Sequence, residues 1–502
     1  MTEAHALLSE TPALRPDELR PGDDARVRLG RLLDDRSFVE LGSARQHRAS
    51  GFGLEQRRPE GDGVVAGTGM IDGRPVQAYA QDRNVLGGSL GEAHADKMAR
   101  TIEAAVRGGV PVVGINDSGG ARIQEGVAAL DGYGQVFRAN VAASGRVPQL
   151  SMLLGPSAGG AVYSPALMDF VVMSDGASMF LTGPRVVKAV TGEDVDARSL
   201  GGPEVHATRS GSAHFVVDDD EAAFALTRTL LGYLPSSAFE RPPVVPAADP
   251  PATDLGAVVP DDDRAPYDVR DVVRGIVDRG GGGGVDGGGF LEVHAGWARN
   301  LVVGFARIDG QSIGVVANQA RWLAGVLDLT ASEKGARFVR FCDAFGIPLV
   351  VLVDVPGFLP GTGQESGGAI RKGAKLLHAF AAATVPRVTV VLRKAFGGAY
   401  IVMNSRSLGA DVVLAWPGAE LAVMGAEGAV DVIFRRRLLE EPDRRGELVT
   451  SYRQDAMRGA LAAERGSVDE IIAPADTRPA LVSLLRGLRN GRQPGFVHDN
   501  QP

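Results

Sequence analysis

The chain has little cysteine, few aromatics and no excess of basic charge. One cysteine, Cys342, stands in 502 residues, which excludes a disulfide framework and a cysteine-based zinc module. It falls in a segment with amphipathic helical spacing, so a buried, inert thiol in a reducing, cytosolic setting is expected. Lys and Arg number 53 against 61 Asp and Glu, for a formal net charge of -8. That balance offers no broad surface for a phosphate backbone, and nucleic acid is not an expected partner. No run of about 18 apolar residues occurs. The N-terminus, with Glu3, His5, Glu10 and Arg15, lacks the charged-then-apolar order of a signal peptide. A soluble, cytoplasmic protein with no membrane partner and no metal site is the expectation.

Glycine is abundant, at 67 of 502 residues, with 44% hydrophobic and 6% aromatic residues. Such a composition favours tight turns and small-residue packing. The chain also states one pattern twice. Gly67, Ile71-Asp72-Gly73, Gln81, Lys97, Arg100, Pro111 and Asp117 recur 237 residues later as Gly304, Ile308-Asp309-Gly310, Asn318, Lys334, Arg337, Pro348 and Asp354. At an offset of 238, Val147-Pro148 answers Val385-Pro386 and Gly159-Gly160-Ala161 answers Gly397-Gly398-Ala399. Register held over that distance implies an internal duplication into two homologous domains.

Four segments are expected: a tail and short helix over 1–35, a first domain over 36–240, a Pro-rich linker over 241–266 and a second domain over 267–502. The nearly all-glycine stretch Gly280 to Gly289 reads as an inserted loop. Short apolar runs at Pro75–Ala80, Pro111–Asn116, Gln149–Leu154, Ser312–Ala317, Pro348–Asp354 and Arg387–Leu392 alternate with helical patterns and predict buried strands in a layered α/β fold. Ser89-x-x-Glu92 and Thr330-x-x-Glu333 predict capped helix starts. The Arg-rich stretch Phe434 to Arg445 reads as a solvated helix face or as a contact for a partner.

Two chemistries fit the glycine turns. Gly155-Pro156-Ser157-Ala158-Gly159 satisfies the G-x-S-x-G elbow of serine hydrolases, with His206 or His214 as base and Asp169 or Asp194 as third member. The second copy, Arg393-Lys394-Ala395-Phe396-Gly397, keeps the glycine turn and has no serine. What both copies share is Gly-Gly-Ala at a helix start, where backbone N–H groups without partners can receive a developing oxyanion. Close packing of helix against strand is the other use of such glycines.

Asp117-Ser-Gly-Gly-Ala-Arg-Ile-Gln-Glu-Gly126, Gly155-Pro-Ser-Ala-Gly-Gly-Ala-Val-Tyr-Ser-Pro-Ala-Leu167, Asp354-Val-Pro-Gly-Phe-Leu-Pro-Gly361 and Arg393-Lys-Ala-Phe-Gly-Gly-Ala-Tyr400 resemble the carboxyltransferase β subunit of acyl-CoA carboxylases, of the propionyl-CoA carboxylase type. The resemblance covers roughly residues 36 to 490. It implies two tandem crotonase-like (ClpP/crotonase) domains, a homohexamer, and active sites where the first domain of one chain meets the second of another. It implies transfer of a carboxyl group from carboxybiotin, on a biotinylated α subunit, to the α carbon of acetyl- or propionyl-CoA through enolates, with coenzyme A entering only as part of the substrate. Gly159 and Gly160 would hold the thioester oxygen, and Gly398 and Ala399 the biotin carbonyl. Ser118, Gly119, Gly120, Ala121, Arg122, Ala158, Tyr163, Phe358, Ala395, Phe396, Gly397 and Ile401 would line the substrate sites. Two departures, Arg20 to Leu29 in place of the family's longer helical segment and the Gly280 to Gly289 loop, leave open a specialised relative that serves one biosynthetic pathway or works in reverse as a decarboxylase of malonyl- or methylmalonyl-type thioesters. A non-catalytic scaffold in such a complex is a third reading.

Overall fold

A computed structural model describes residues 24–280 and 289–488. The tail expected over the first residues and the core of the Gly280–Gly289 loop lie outside these described residues. The described chain divides into two compact units, one of residues 24–205 and 216–228, the other of 206–215 and the described residues from 229 onward.

In the first unit, β1 (Val39–Glu40), β2 (Val64–Ile71), β3 (Arg74–Gln81), β4 (Val112–Ser118), β5 (Gln149–Ala158), β6 (Phe170–Ser174) and β8 (Phe215–Val217) form one sheet in chain order, and β7 (Ser178–Phe180) pairs with the end of β5. The second unit repeats this with β9 (Leu291–Val293), β10 (Leu301–Ile308), β11 (Gln311–Asn318), β12 (Leu349–Val355), β13 (Arg387–Phe396), β14 (Val412–Ala415) and β16 (Glu470–Ile471), while β15 (Glu420–Ala422) pairs with the end of β13. Strand order and the odd short strand are the same in both. The duplication read from spacing is therefore a duplication of α/β architecture.

The hairpins explain part of the repeated signature. Asp72 and Gly73 have φ of 50° and 74°, and Asp309 and Gly310 of 55° and 72°. Two consecutive positive φ values give the tight turn whose twist matches antiparallel strands. Each turn is tied down by a carboxylate that accepts both of its N–H groups, Asp34 in the first copy at 3.0 and 2.8 Å and Asp278 in the second at 3.1 and 2.7 Å. The central strands β4 and β12 are buried along their whole length, as parallel strands covered on both faces must be. Helices α1 (Asp24–Leu32), α2 (Glu92–Gly108) and α3 (Val127–Ala143) belong to the first unit, where Met98, Ile102, Val136 and Tyr79 share one core. In the second, α4 (Leu329–Ala344) and α5 (Ala369–Ala382) take the places of α2 and α3. Cys342 lies buried on α4, and burial pushes its thiol pKa up.

Two expectations need correction. Ser89 does not cap α2: the preceding residue is Gly91, the Ser89 hydroxyl donates to Leu86 O, and the Glu92 N–H is taken by Glu125 from a neighbouring turn. Thr330 does not cap α4, because it already lies inside the helix; Asp328 accepts from Ala331 N at 2.8 Å. The other correction concerns β5 and β13, which run four residues beyond the expected Leu154 and Leu392, to Ala158 and Phe396. Their extra residues stay in the ladder by pairing with β7 and β15.

Candidate active site

Both copies end their longest strand in the same way. The ladder between β4 and β5 slips between Asn116 and Ser118, and that between β12 and β13 slips between Val353 and Val355. Beyond the slip the strand continues to Ala158 or Phe396 and then turns through a glycine of positive φ, 60° at Gly159 and 61° at Gly397. A side chain would be strained there, so both turns require glycine. Helical winding starts at once, over Gly159–Val162 and Gly397–Val402. The first N–H groups of such a turn have no partner within the helix, and they lie at its positive end. Gly159, Gly160, Gly398 and Ala399 are those residues.

A loop stands beside each turn. Leu90 pairs with Ala121 and Leu327 with Phe358 as isolated parallel bridges. Leu90 N donates to Gly120 O and Arg122 N to Leu90 O, both at 2.9 Å, and Leu327 N and Leu359 N repeat the pattern with Gly357 O and Leu327 O. Ser118 is buried, and its hydroxyl donates to Gly88 O at 2.6 Å. Gly120, at φ 97°, lies so near the strand end that an added Cβ would stand 2.9 Å from Ala158 O. The structure thus gathers Ser118, Gly119, Gly120, Ala121 and Ala158 around the first turn. Tyr163 and Ile401, which correspond at the 238-residue offset, sit at the outer side of their short helices, 48% and 43% exposed. Ala395 and Phe396 are buried in β13, and Gly398 has no neighbour within 4 Å of where a Cβ would be.

Arg122 is placed differently from a substrate ligand. It is 1% exposed, and Nη1 donates to Asp62 at 2.6 Å and to Glu125 at 2.7 Å, while Nη2 and Nε bond the Ser89 carbonyl and hydroxyl. Those contacts occupy four of its five N–H donors. The guanidinium holds the loop together from inside.

The hydrolase reading does not survive the geometry. An elbow nucleophile stands exposed on a sharp turn, whereas Ser157 lies within β5, is 0% exposed, and its Oγ has no hydrogen-bond partner among the described residues. Asp169 accepts from Gln149 N, Asp194 pairs with Lys188, His206 contacts Ser210, and the His214 ring stacks on His294 at 4.2 Å.

A buried polar chain behind the first turn escaped the sequence reading, although spacing had marked two of its members. Asp117 N donates to Gln81 Oε1, which leaves Gln81 Nε2 directed at His94 Nε2, 3.3 Å away. His94 Nε2 must then accept, so Nδ1 carries the proton and donates to Asp62 O at 3.0 Å. Burial, then the nearby Arg122 and Lys97 charges, push the His94 pKa down to about 3. A histidine held neutral in the fold adds stability above its unfolded pKa near 6.5, lost as pH falls through the window down to about 3. The thermal midpoint of the wild type is expected to drop between about pH 7.5 and about pH 5, and less steeply in His94→Gln. Parallel pH curves for the two proteins would show that His94 titrates as it does in the unfolded chain.

Among the described residues no cluster of three or more His, Cys, Asp or Glu is placed to hold a metal ion, and no helix is long and apolar enough to cross a membrane.

Tandem α/β halves, each ending its longest strand in a glycine turn at a helix start, are the architecture that the resemblance to carboxyltransferases implies, and comparison with known proteins agrees. The carboxyl transferase domain profile matches residues 22–499, and the chain belongs to that family. Within it the chain stands with the carboxyltransferase subunits of acyl-CoA carboxylases and is an enzyme of that class. The propionyl-CoA carboxylase beta chain of Saccharopolyspora erythraea is 51% identical over 499 residues, covering 95% of this chain and 90% of its own. The methylmalonyl-CoA decarboxylase subunit alpha of Veillonella parvula is 50% identical, covering 93% of this chain and 90% of its own. A crystal structure of transcarboxylase 12S, a hexamer assembly with methylmalonyl-coenzyme A and methylmalonic acid bound, has a TM-score of 0.90 at 51% identity over 95% of this chain and 92% of that one.

Proposed function

We propose that the protein transfers a carboxyl group from carboxybiotin, carried by a biotinylated partner subunit, to the α carbon of acetyl- or propionyl-CoA, working as a cytoplasmic homohexamer. The observation that carries this reading is the pair of equivalent glycine turns. An acyl thioester that loses its α proton concentrates charge on its oxygen, and N–H donors of Gly159 and Gly160 at a helix start meet that charge. Each such donor is worth roughly 10²- to 10³-fold in rate. Gly398 and Ala399 offer the same donors to a second carbonyl oxygen, and the open space at Gly398 fits a urea carbonyl in that position. Carboxybiotin, when bound, would supply the carboxyl group to be moved and, once freed of it, the ureide nitrogen that takes up the α proton. Ser118, Gly119, Gly120, Ala121, Ala158 and Tyr163 form the acyl-CoA side in this reading, Phe358, Ala395, Phe396 and Gly397 the biotin side, and Ile401, beside the second turn, faces the acyl group. In this reading positioned amides carry the chemistry, and the described acids behind the first turn are already paired: Asp117 faces Arg28 and Arg83, and Asp62 and Glu125 face Arg122.

The similarity to the Veillonella subunit favours a second reading, decarboxylation of a malonyl-type thioester through the same oxyanion contacts. Mass spectrometry of products from acetyl-, propionyl- and methylmalonyl-CoA, with and without a biotinylated carrier, tests both. Carboxylated products that depend on the carrier support transfer; propionyl-CoA released from methylmalonyl-CoA as the only product supports the second reading.

Ile401 bears on acyl choice. An exposed isoleucine beside the second turn offers apolar surface to an acyl group and no charge. Pocket differences of a methylene are worth about 1–3 kcal/mol, so use of both acetyl- and propionyl-CoA is expected. Ile401→Asp is expected to shift the ratio of kcat/KM values for the two substrates by on the order of tenfold. An unchanged ratio would remove Ile401 from the acyl pocket.

A further inference from the structure

The two copies keep an aspartate at the strand slip and neutralise it from different directions. Asp354, fully buried on β12, accepts from Arg393 Nε at 3.2 Å and Nη2 at 3.1 Å through one oxygen and from Lys394 N at 3.1 Å through the other. Its own N–H reaches Asn318 Oδ1. The carboxylate is therefore bonded to two consecutive residues of β13, directly before Ala395-Phe396-Gly397. Arg393 Nη1 is held in turn by the carbonyls of Asp262 at 2.8 Å and Ala265 at 3.1 Å, and the Lys394 ammonium by Asp263 O at 2.7 Å. Along this route, clamps from three chain segments converge on the strand end that carries the second turn.

In the first copy the position matching Arg393 is Gly155, and Asp117 lies over it so closely that a Cβ there would come within 2.3 Å of the carboxylate. The missing arginine is replaced from elsewhere. Arg28 of α1 reaches Asp117 at 3.4 Å and also the Leu154 carbonyl, and Arg83 reaches it at 3.3 Å from the loop after β3, where the second copy has Ala320. Arg28 is anchored at its other edge by Asp220 at 2.9 Å. An aspartate, an amide partner to its N–H and a guanidinium recur, although the guanidinium comes from different elements.

We infer that Asp354 is a positioning residue for Gly398 and Ala399, acting through β13, and that Asp117 has the same task for Gly159 and Gly160. Asp354 is tied to the strand end directly, through Lys394 N, and Asp117 indirectly, through Arg28 on the Leu154 carbonyl, Pro156 having no N–H to offer. Such a tie fixes where the following amides point, and a misplacement of about 1 Å can cost roughly 10²-fold in rate. The inference rests on the assignment of the second turn to the biotin side and the first to the thioester side.

The experiment uses the assembled enzyme with its biotinylated carrier and, for the reverse direction, methylmalonyl-CoA as carboxyl donor with free biotin as acceptor. Asp354→Asn keeps an acceptor for Lys394 N and removes the charge that orients Arg393. It is expected to lower kcat by roughly 10- to 100-fold and to raise KM for biotin, with the Kd for propionyl-CoA by calorimetry within about twofold of wild type. Asp117→Asn is expected to weaken propionyl-CoA binding and leave KM for biotin within about twofold. A folded Asp354→Asn enzyme with unchanged kcat overturns the inference, as does the same kinetic profile for both variants. Should Asp354→Asn not assemble, Arg393→Lys keeps the buried charge and loses the two-pronged contact; the same biotin-side defect is expected, and wild-type kinetics overturn the proposal. Gly398→Pro separates the layers: full turnover in that variant defeats the underlying assignment, whereas lost turnover beside a normal Asp354→Asn enzyme defeats only the positioning role.

Discussion

Gly160→Pro is expected to lower turnover by at least roughly 10²- to 10³-fold, while Ser157→Ala keeps most of it. Gly160 lies in the first winding after β5, where its N–H has no helical partner. Proline removes that N–H and is tolerated near a helix start, so loss of the donor is separable from loss of the helix. One competing effect must be measured. A Cβ at residue 160 would lie 2.9 Å from the Tyr133 ring, so crowding alone disturbs the site. Gly160→Ala carries the same Cβ and keeps the N–H; the difference between the two variants is the donor. Ser157→Ala deletes a buried hydroxyl without a hydrogen-bond partner among the described residues, which should be neutral or slightly stabilising. Steady-state rates with propionyl-CoA and carrier check all three. Lost turnover in Ser157→Ala with CoA binding retained would restore the serine as nucleophile, and equal rates for Gly160→Ala and Gly160→Pro would remove the amide from the mechanism.

Where the sequence was legible, the reason is backbone geometry. Asp72-Gly73 and Asp309-Gly310 repeat because a two-residue turn needs positive φ twice, and Gly159 and Gly397 because the strand ends turn through a left-handed residue. Such demands constrain a residue locally and leave a mark in spacing. The strand ends beyond Leu154 and Leu392 were not legible, because Gly155-Pro156 reads as a break. Pairing with the short strands β7 and β15 on one side, and with the ends of β4 and β12 beyond the slip on the other, keeps those residues extended. The caps failed for a related reason: Ser89 and Thr330 have the right composition, but Glu125 and Asp328 reach the free N–H groups first. The repeat flagged Gln81, Asp117 and Asp354 without a role, since their partners His94, Arg28 and Arg393 come from elements whose proximity only the fold creates.

Arg122→Met is expected to destabilise the first unit by about 3–5 kcal/mol, because it leaves two buried carboxylates without their cation. Asp62 is fully buried and Glu125 has a side chain 5% exposed, and both rely on the same Nη1 atom. In a unit of this size that loss corresponds to a fall of roughly 10 °C in Tm. The pH dependence has a definite sign. Burial raises the Asp62 pKa even with Arg122 beside it, chiefly by desolvation, and removing the cation raises it further. A carboxyl whose folded pKa is raised favours the fold at low pH and opposes it as pH rises. The gap in Tm between wild type and Arg122→Met should therefore narrow between about pH 7.5 and about pH 5.5, and adding Asp62→Asn should recover part of it. A direct role for Arg122 in holding a CoA phosphate would give the reverse pattern, with Tm unchanged and KM for the acyl-CoA raised. Thermal unfolding at the two pH values, alongside KM at the higher one, decides between a cation that holds the substrate and one that holds the loop beside it.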